Sequence, residues 1–235
     1  MSKKMSRPEA VFSAKMKVAD LIDLDYRLLG VLSRLGMRLG FGDATVAALC
    51  QRHGVDTETF LILCKAYTLK DYRPSGEVID TIQAPDVLRY LRLSHDYYTK
   101  TALVALEGAL EKILEGCDKR YRQIIWKFFS DYKEELEKHF ALEEDRIFPY
   151  VEALLSGGMG AGRDSIPQDS HGEIEDKLDD LKNIVMKYLP EGNEDNIIET
   201  VCYIYALRED IVRHSAIEDN ILMPLIDRME QRYGR

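Results

Sequence analysis

Two stretches of the chain are versions of one phrase: HFALEEDRIFP at residues 139–149 and HSAIEDNILMP at residues 214–224. Aligned without gaps, each begins with histidine and has alanine two positions later, glutamate four positions later and proline ten positions later. A further histidine precedes each phrase: His95 lies 44 residues before His139, and His171 lies 43 residues before His214. Four of the five histidines therefore belong to one duplicated pattern.

The spacing inside each phrase suits an α-helix. Residues four positions apart lie on one face of a helix, so each phrase directs an imidazole and a carboxylate towards one place. The two upstream histidines would add one imidazole each from two further helices. A single such pair is usually an exposed contact, but two copies with matching upstream histidines favour a metal site. The predicted ligands are His95, His139, Glu143, His171, His214 and Glu218.

The chemistry of these donors indicates the metal. Imidazole with carboxylate suits iron, with manganese as the alternative. Two octahedral cations have twelve coordination positions, and carboxylates from facing helices can bridge them. Four imidazoles, two bridging carboxylates and an oxo or hydroxo bridge leave one open position on each cation. NO, O2 or peroxide would bind there.

Three other residues near the pattern are open to a simpler interpretation. Glu175 lies four residues after His171, but Thr99 holds the corresponding position after His95, so the repeat does not support it as a ligand and we expect it to contact a ligand or to be a weak alternative ligand. Glu144 lies about 100° round the helix from Glu143, and we expect it to be solvated. His53 lies outside the repeat, where a surface or capping role is expected.

Apolar residues recurring at threes and fours predict four long helices in residues 81–235, without strand signals. The expected spans are Pro85 to Gly116, Asp118 to Leu155, Asp169 or Ser170 to Leu189, and Asn193 to Glu230. A glycine-rich link covers residues 156–168. These features predict an all-α, up-down-up-down four-helix bundle. Because proline removes a backbone hydrogen bond, Pro149 and Pro224 should bend their helices at equivalent points.

Residues 1–80 predict a small helical N-terminal domain. One helix is expected from Asp25 to Met37. Two short helices are expected within residues 43–67, with Asp43 and Asp56 as N-caps and Gly54 ending the first helix. Proline and glycine in residues 68–85 mark the boundary with the bundle domain, residues 81–235.

Composition narrows the class of protein. The net charge is −9, and it is concentrated in residues 81–235, which carry 31 acidic and 20 basic residues. That acidity disfavours binding to a nucleic-acid backbone. There is no long apolar run, no secretory signal pattern and no CxxC, so we expect a cytoplasmic protein that does not enter a membrane, with reduced cysteines.

The six predicted ligands and their flanking phrases resemble the hemerythrin-like, or HHE cation-binding, family over about residues 85–228. The arrangement is most similar to bacterial di-iron proteins that repair iron–sulfur clusters after nitrosative and oxidative stress. The resemblance implies an oxo-bridged pair of iron ions held by these six residues, with damaged iron–sulfur proteins as partners. The small domain that precedes the bundle in those proteins commonly carries adjacent cysteines. Here only Cys50 and Cys64 lie nearby.

Other functions remain open at this stage, and the sequence does not decide whether the protein is an enzyme. A di-iron sensor or regulator is the alternative, since residues 45–65 loosely fit a helix-turn-helix. Its second helix offers only Lys65 to a phosphate or a base, which disfavours DNA binding. Storage of O2 or iron is disfavoured because one symmetric centre stores little iron and because O2 carriers of this family usually have five histidine ligands.

Overall fold

The structure, a computed structural model, describes residues 12–157, 171–189 and 194–232. Across these ranges the regular structure is helical, with no β-strand, which confirms the predicted all-α class; Lys17 and Thr45 form an isolated β-bridge. The α-helices, numbered α1 to α12, are Val18–Leu24, Leu28–Arg34, Val46–His53, Thr57–Thr68, Gly76–Ile79, Ala84–Tyr97, Leu103–Leu114, Lys119–Leu142, Phe148–Leu155, His171–Tyr188, Glu194–Ile217 and Met223–Arg232. Within these described ranges, three π-helical segments interrupt the long helices: Tyr98–Ala102, Glu143–Ile147 and Glu218–Leu222. None of the described helices has the length and apolar character needed to cross a membrane.

Internal contacts group the chain into two compact units. One contains the described residues up to Tyr90 together with Ala216–Arg232. The other contains the described part of Leu91–Ser215. The domain division near residue 80 stays a prediction.

In the first unit, α3 and α4 form the expected pair of short helices. Gly54 ends α3 with a left-handed backbone, φ 62°, which glycine adopts without strain. Asp56 caps α4, as predicted. The predicted cap at Asp43 is wrong: α3 begins later, and the hydroxyl of Thr45 accepts a backbone hydrogen bond from its first turn. Asp43 instead accepts a hydrogen bond of 2.8 Å from Lys17.

The predicted helix from Asp25 to Met37 is shorter in the structure. Helix α1 ends at Leu24, just before Asp25, and helix α2 begins at Leu28. The Asp25 carboxylate accepts hydrogen bonds from the backbone N–H and the guanidinium of Arg27. An aspartate that bonds to the backbone two residues later favours a turn over a continued helix.

The second helix of the possible helix-turn-helix, α4, is largely buried. Eight of its twelve residues are buried, among them the large side chains of Phe60, Leu63 and Tyr67. Recognition helices need an exposed face that enters a DNA groove. Little of α4 remains for such a contact.

The second unit contains the core of the four-helix bundle. Its hydrophobic cluster draws buried residues from α7, α8, α10 and α11. Representative members are Leu106, Leu110, Phe129, Leu136, Leu178, Leu181, Ile204 and Leu207. Burial of each such side chain stabilises the folded state by about 1.5–3 kcal/mol. The apolar periodicity of the sequence therefore marks the side of each helix that packs inwards.

Polar contacts show which helices of this unit are neighbours. They join α7 to α8, α8 to α10, α10 to α11 and α11 to the π-helical segment before α7. The pairs are Lys133 with Glu107, Lys177 with Glu135, Arg208 with Asp179, and the Tyr98 hydroxyl with the Asp210 carbonyl. Because partly exposed ion pairs stabilise by only about 0–1 kcal/mol, the core contributes more than these contacts.

In the first unit, an ion-pair cluster joins the end of α5 to α12. The Asp80 carboxylate accepts hydrogen bonds from Arg228 and from Arg232, the latter at 2.7 Å. The hydrogen bond from Arg228 is the main cause that lowers the pKa of Asp80 from 3.8 to about 2. A carboxyl whose pKa is lowered by folding stabilises the fold at pH values above its unfolded pKa.

We predict that Asp80→Asn lowers the free energy of unfolding at neutral pH. The difference from wild type should shrink as the pH falls from about 4 towards 2, because both proteins then carry a neutral side chain at position 80. Urea unfolding followed by circular dichroism across this range measures the effect. Asp71→Asn is the matched control, since Asp71 is exposed and makes no ion pair with any residue that the structure describes. A destabilisation that does not change with pH would contradict the prediction.

Candidate metal centre

The first of the repeated phrases contains a π-helical turn between its glutamate and its proline. Glu143 is the first residue of the segment Glu143–Ile147, and its carbonyl accepts the backbone N–H of Phe148, five residues later. Pro149 follows, and it has no N–H to donate to the preceding turn. A wider turn accommodates the proline, since in a regular α-helix the proline ring would press on the carbonyl of Asp145.

The second phrase repeats this backbone. Glu218 begins the segment Glu218–Leu222, its carbonyl accepts the N–H of Met223, and Pro224 follows. The prolines, from which we predicted bends, therefore coincide with π-helical turns. Such turns occur often at functional sites. Each one places the repeated glutamate where the regular helix ends.

The described residues include one group of side chains that could hold a metal ion. It consists of His95, Glu143, His214 and Glu218, and all four residues are buried, with relative exposures of 1–5%. Each offers one ligand atom, and these atoms lie within 4.8 Å of one another. Four of the six predicted ligands thus come together in space.

The carboxylate of Glu143 lies between two imidazoles. One oxygen is 3.0 Å from Nε2 of His95, and the other is 3.1 Å from Nε2 of His139. The carboxylate therefore presents one oxygen to each of two predicted ligands, as a carboxylate that bridges two cations does. His139, whose side chain is 10% exposed, contacts Glu143 without belonging to the group of four.

Aromatic rings surround the imidazoles. The ring of His95 stacks on Phe140, with centroids 4.1 Å apart and planes at 17°, and on Phe148 at 5.5 Å. The ring of His214 meets Tyr98 edge-on at 5.4 Å, and Tyr98 is fully buried. These rings fix the imidazole orientations and exclude water, and electrostatic interactions are stronger in such an environment.

Glu144 contacts a predicted ligand, and its side chain is 34% exposed, so the expected solvation is only partial. One carboxylate oxygen lies 3.0 Å from Nδ1 of His95, and the other accepts a hydrogen bond of 3.1 Å from Arg92. Arg92 also donates to Glu152 at 2.7 Å. Burial raises the pKa of the Glu144 carboxyl, but hydrogen bonds from His95 and Arg92 outweigh burial and hold the pKa below its usual range.

This contact has a chemical consequence for His95. An imidazole that donates its Nδ1–H to a carboxylate keeps Nε2 free of a proton and more basic, so Nε2 can bind a cation. Glu144 therefore selects the tautomer that directs Nε2 towards the group of four. Helix spacing alone did not reveal this role because the contact crosses from the π-helical segment Glu143–Ile147 to α6.

The sequence singles out three further residues, His171, Glu175 and His53. His171 is the first residue of α10, but its side chain lies outside the described part of the protein, so its ligand role stays a prediction. Glu175 is half-buried in α10 and is not in the group of four. His53 ends α3, its carbonyl accepts a hydrogen bond from Arg89, and it too is outside the group.

The donor set suits a cation of the iron or manganese type. Imidazole nitrogen and carboxylate oxygen are the ligands that these metals accept together. Two carboxylates buried among imidazoles would carry an uncompensated desolvation cost without a nearby positive charge. A metal ion would supply that charge.

The family model described as the hemerythrin HHE cation-binding domain matches residues 86–226. The chain belongs to this family. The matched range includes all six predicted ligands and both repeated phrases. The resemblance read from those residues is confirmed.

The chain is also similar to individual proteins whose names are more specific than the family description. Proteins called iron-sulfur cluster repair protein YtfE in Salmonella paratyphi B, Salmonella newport and Salmonella heidelberg are each 25% identical to the chain over 191 residues. The alignments cover 78% of this chain and 83% of each relative. No solved structure matches the chain significantly.

We predict that Glu144→Gln weakens metal binding by roughly 10–100-fold, as is typical when a carboxylate that orients a metal-binding histidine is replaced. Metal affinity is measured by competition with a chromophoric chelator. Glu134→Gln is the control. Glu134 lies on α8 just before the first repeated phrase, and it pairs with Lys138 at the surface. Equal affinities of the Glu144 variant and the wild type would contradict the orienting role.

Proposed function

We propose that the protein is a non-haem di-iron protein of the response to oxidative and nitrosative stress. Its ligands would be His95, His139, Glu143, His171, His214 and Glu218. The observation that carries the proposal is the buried group of imidazoles and carboxylates, which lies inside the range of the cation-binding family. Iron held there would supply reversible redox chemistry and a place for NO, O2 or peroxide to bind.

The residues around the site have separable tasks in this proposal. One carboxylate oxygen of Glu143 faces His95 and the other faces His139, so Glu143 can hold two cations at a fixed separation. Glu218 is the equivalent residue of the second phrase. Glu144 orients His95 through Nδ1. The buried rings of Phe140 and Tyr98 keep bulk water from the imidazoles.

Repair of iron–sulfur clusters is the physiological role that the relatives suggest. In this role the protein would supply iron to damaged iron–sulfur proteins, its proposed partners in the cytoplasm. Transfer that depends on cysteine is disfavoured here. Cys50 and Cys64 are both buried, and burial raises the pKa of Cys50 to about 12 and holds the pKa of Cys64 well above its usual value of 9.0. Since the thiolate is the form that binds metal, these thiols do not suit an iron relay.

We predict that Glu143→Ala and Glu218→Ala each reduce the iron content from two ions per chain towards one, and that the double variant loses most of its iron. The reason is the loss of a carboxylate able to bridge the two cations. Inductively coupled plasma mass spectrometry on anaerobically purified protein gives the iron content. Glu134→Ala and Glu209→Ala are matched controls, because both residues are surface partners of basic residues on the same helices. A double variant that retains two ions per chain would overturn the ligand assignment.

We predict a spectroscopic response to NO in the wild-type protein. The oxidised protein should show a near-ultraviolet charge-transfer band of a bridged ferric pair, which dithionite bleaches. Adding NO to the reduced protein should produce a new visible band and an altered EPR signal. Mössbauer spectroscopy identifies the iron sites independently. Protein without iron or colour after growth in iron-replete medium would contradict the proposal of an iron protein.

A further inference from the structure

A second candidate site lies in the second unit, at the start of α8. A crevice of about 550 Å³ is lined by Cys117, Lys119, Arg122, Gln123 and Trp126. Its volume falls within the range of small-molecule sites, roughly 300–1,000 Å³. All five of these described lining residues lie between the end of α7 and the second turn of α8, where Lys119, Arg122 and Gln123 are exposed and Cys117 and Trp126 are half-buried.

The basic side chains that line the crevice differ from the lysines farther along α8. Lys127, Lys133 and Lys138 farther along the helix all form ion pairs with carboxylates. Lys119 forms no ion pair with any residue that the structure describes. Arg122 donates one hydrogen bond, to the carbonyl of Leu114 at 3.2 Å, and forms no ion pair with the described side chains.

The charge of these residues is unusual for their surroundings. Residues 81–235 carry an excess of acidic side chains, 31 against 20 basic ones. Two unneutralised cations in one crevice of an acidic region attract a small anion. An arginine has five N–H donors, and Arg122 uses one of them on Leu114, so the others remain available to a phosphate or carboxylate.

The aromatic side chain of Trp126 adds a second recognition element beside the two cations. Its indole is half-buried and meets Phe129 at 6.0 Å, with an angle of 67° between the rings. It also packs against the hydrophobic core of the bundle, which fixes its position. A planar aromatic wall beside two cations suits a ligand that has both a ring and a negative charge. The amide of Gln123 can donate to or accept from polar atoms of such a ring.

We propose that this crevice binds a small organic anion in which a phosphate or carboxylate is attached to a planar ring. Lys119 and Arg122 bind the anionic group, and Trp126 packs against the ring. The site uses none of the predicted metal ligands. Binding is therefore measured on the whole protein irrespective of its metal content.

The first test uses the fluorescence of Trp126, which is the one tryptophan of the chain. Phenyl phosphate should change its emission in a saturable way, whereas inorganic phosphate and phenol, each supplying half of the ligand, should bind much more weakly. Isothermal titration calorimetry on Arg122→Ala should give roughly tenfold weaker binding of phenyl phosphate, the effect of losing one charged hydrogen-bond donor. Lys138→Ala is the control, because Lys138 is a surface residue of the same helix paired with Glu134. It should bind as the wild type does.

The second test needs neither the tryptophan signal nor a variant. Cys117 lines the crevice, whereas Cys202 is exposed on α11 outside it. Saturating phenyl phosphate should slow alkylation of Cys117 by iodoacetamide several-fold and leave the rate at Cys202 unchanged, as followed by peptide mass spectrometry. Unchanged alkylation of Cys117 together with a flat fluorescence titration would overturn the proposal. Inorganic phosphate binding as tightly as phenyl phosphate would overturn the part assigned to the ring.

Discussion

The structure depends on the burial of carboxylates and imidazoles at one place in a helical core. Removing a charged carboxylate from water costs several kcal/mol unless an opposite charge or hydrogen-bond donors compensate. Here the two oxygens of Glu143 face Nε2 of His95 and Nε2 of His139, and Glu144, which also bonds to Arg92, accepts the Nδ1–H of His95. Since Nε2 of His95 then carries a lone pair and no positive charge, a cation at the same place would supply the compensation. The fold and the metal chemistry of the family are therefore linked through one set of buried side chains.

The duplicated backbone explains how two distant parts of the chain present equivalent glutamates. A glutamate four residues after histidine, followed by proline six residues later, produces a π-helical turn in both phrases. The wide turn accommodates the proline, and it begins at the glutamate. Backbone and ligand are thus specified by the same residues. Tyr98–Ala102 forms a third π-helical turn just after His95, and this turn contains no proline.

Much of the fold and part of the site could be predicted from the sequence because they follow from spacing along a helix. The four helical stretches, the end of α3 at Gly54 and the cap at Asp56 depend on residues close in sequence. Glu144 was missed because its contact with His95 joins residues 49 positions apart, and no helical periodicity encodes such a pair. The cap at Asp43 was misplaced for a different reason. Aspartate and threonine two positions apart both suit an N-cap, and in the structure the helix begins after the threonine, while Asp43 pairs with Lys17.

The crevice near Trp126 and the predicted ligand His139 lie on the same helix but far apart. At 1.5 Å per residue, the positions from Arg122 to His139 span roughly 25 Å of α8. Energetic coupling over that distance is best attested where an element has two discrete arrangements that both sites influence. Regular α-helix connects the two positions, and every π-helical turn described in the chain lies outside it. The crevice and the metal centre should therefore bind their ligands independently.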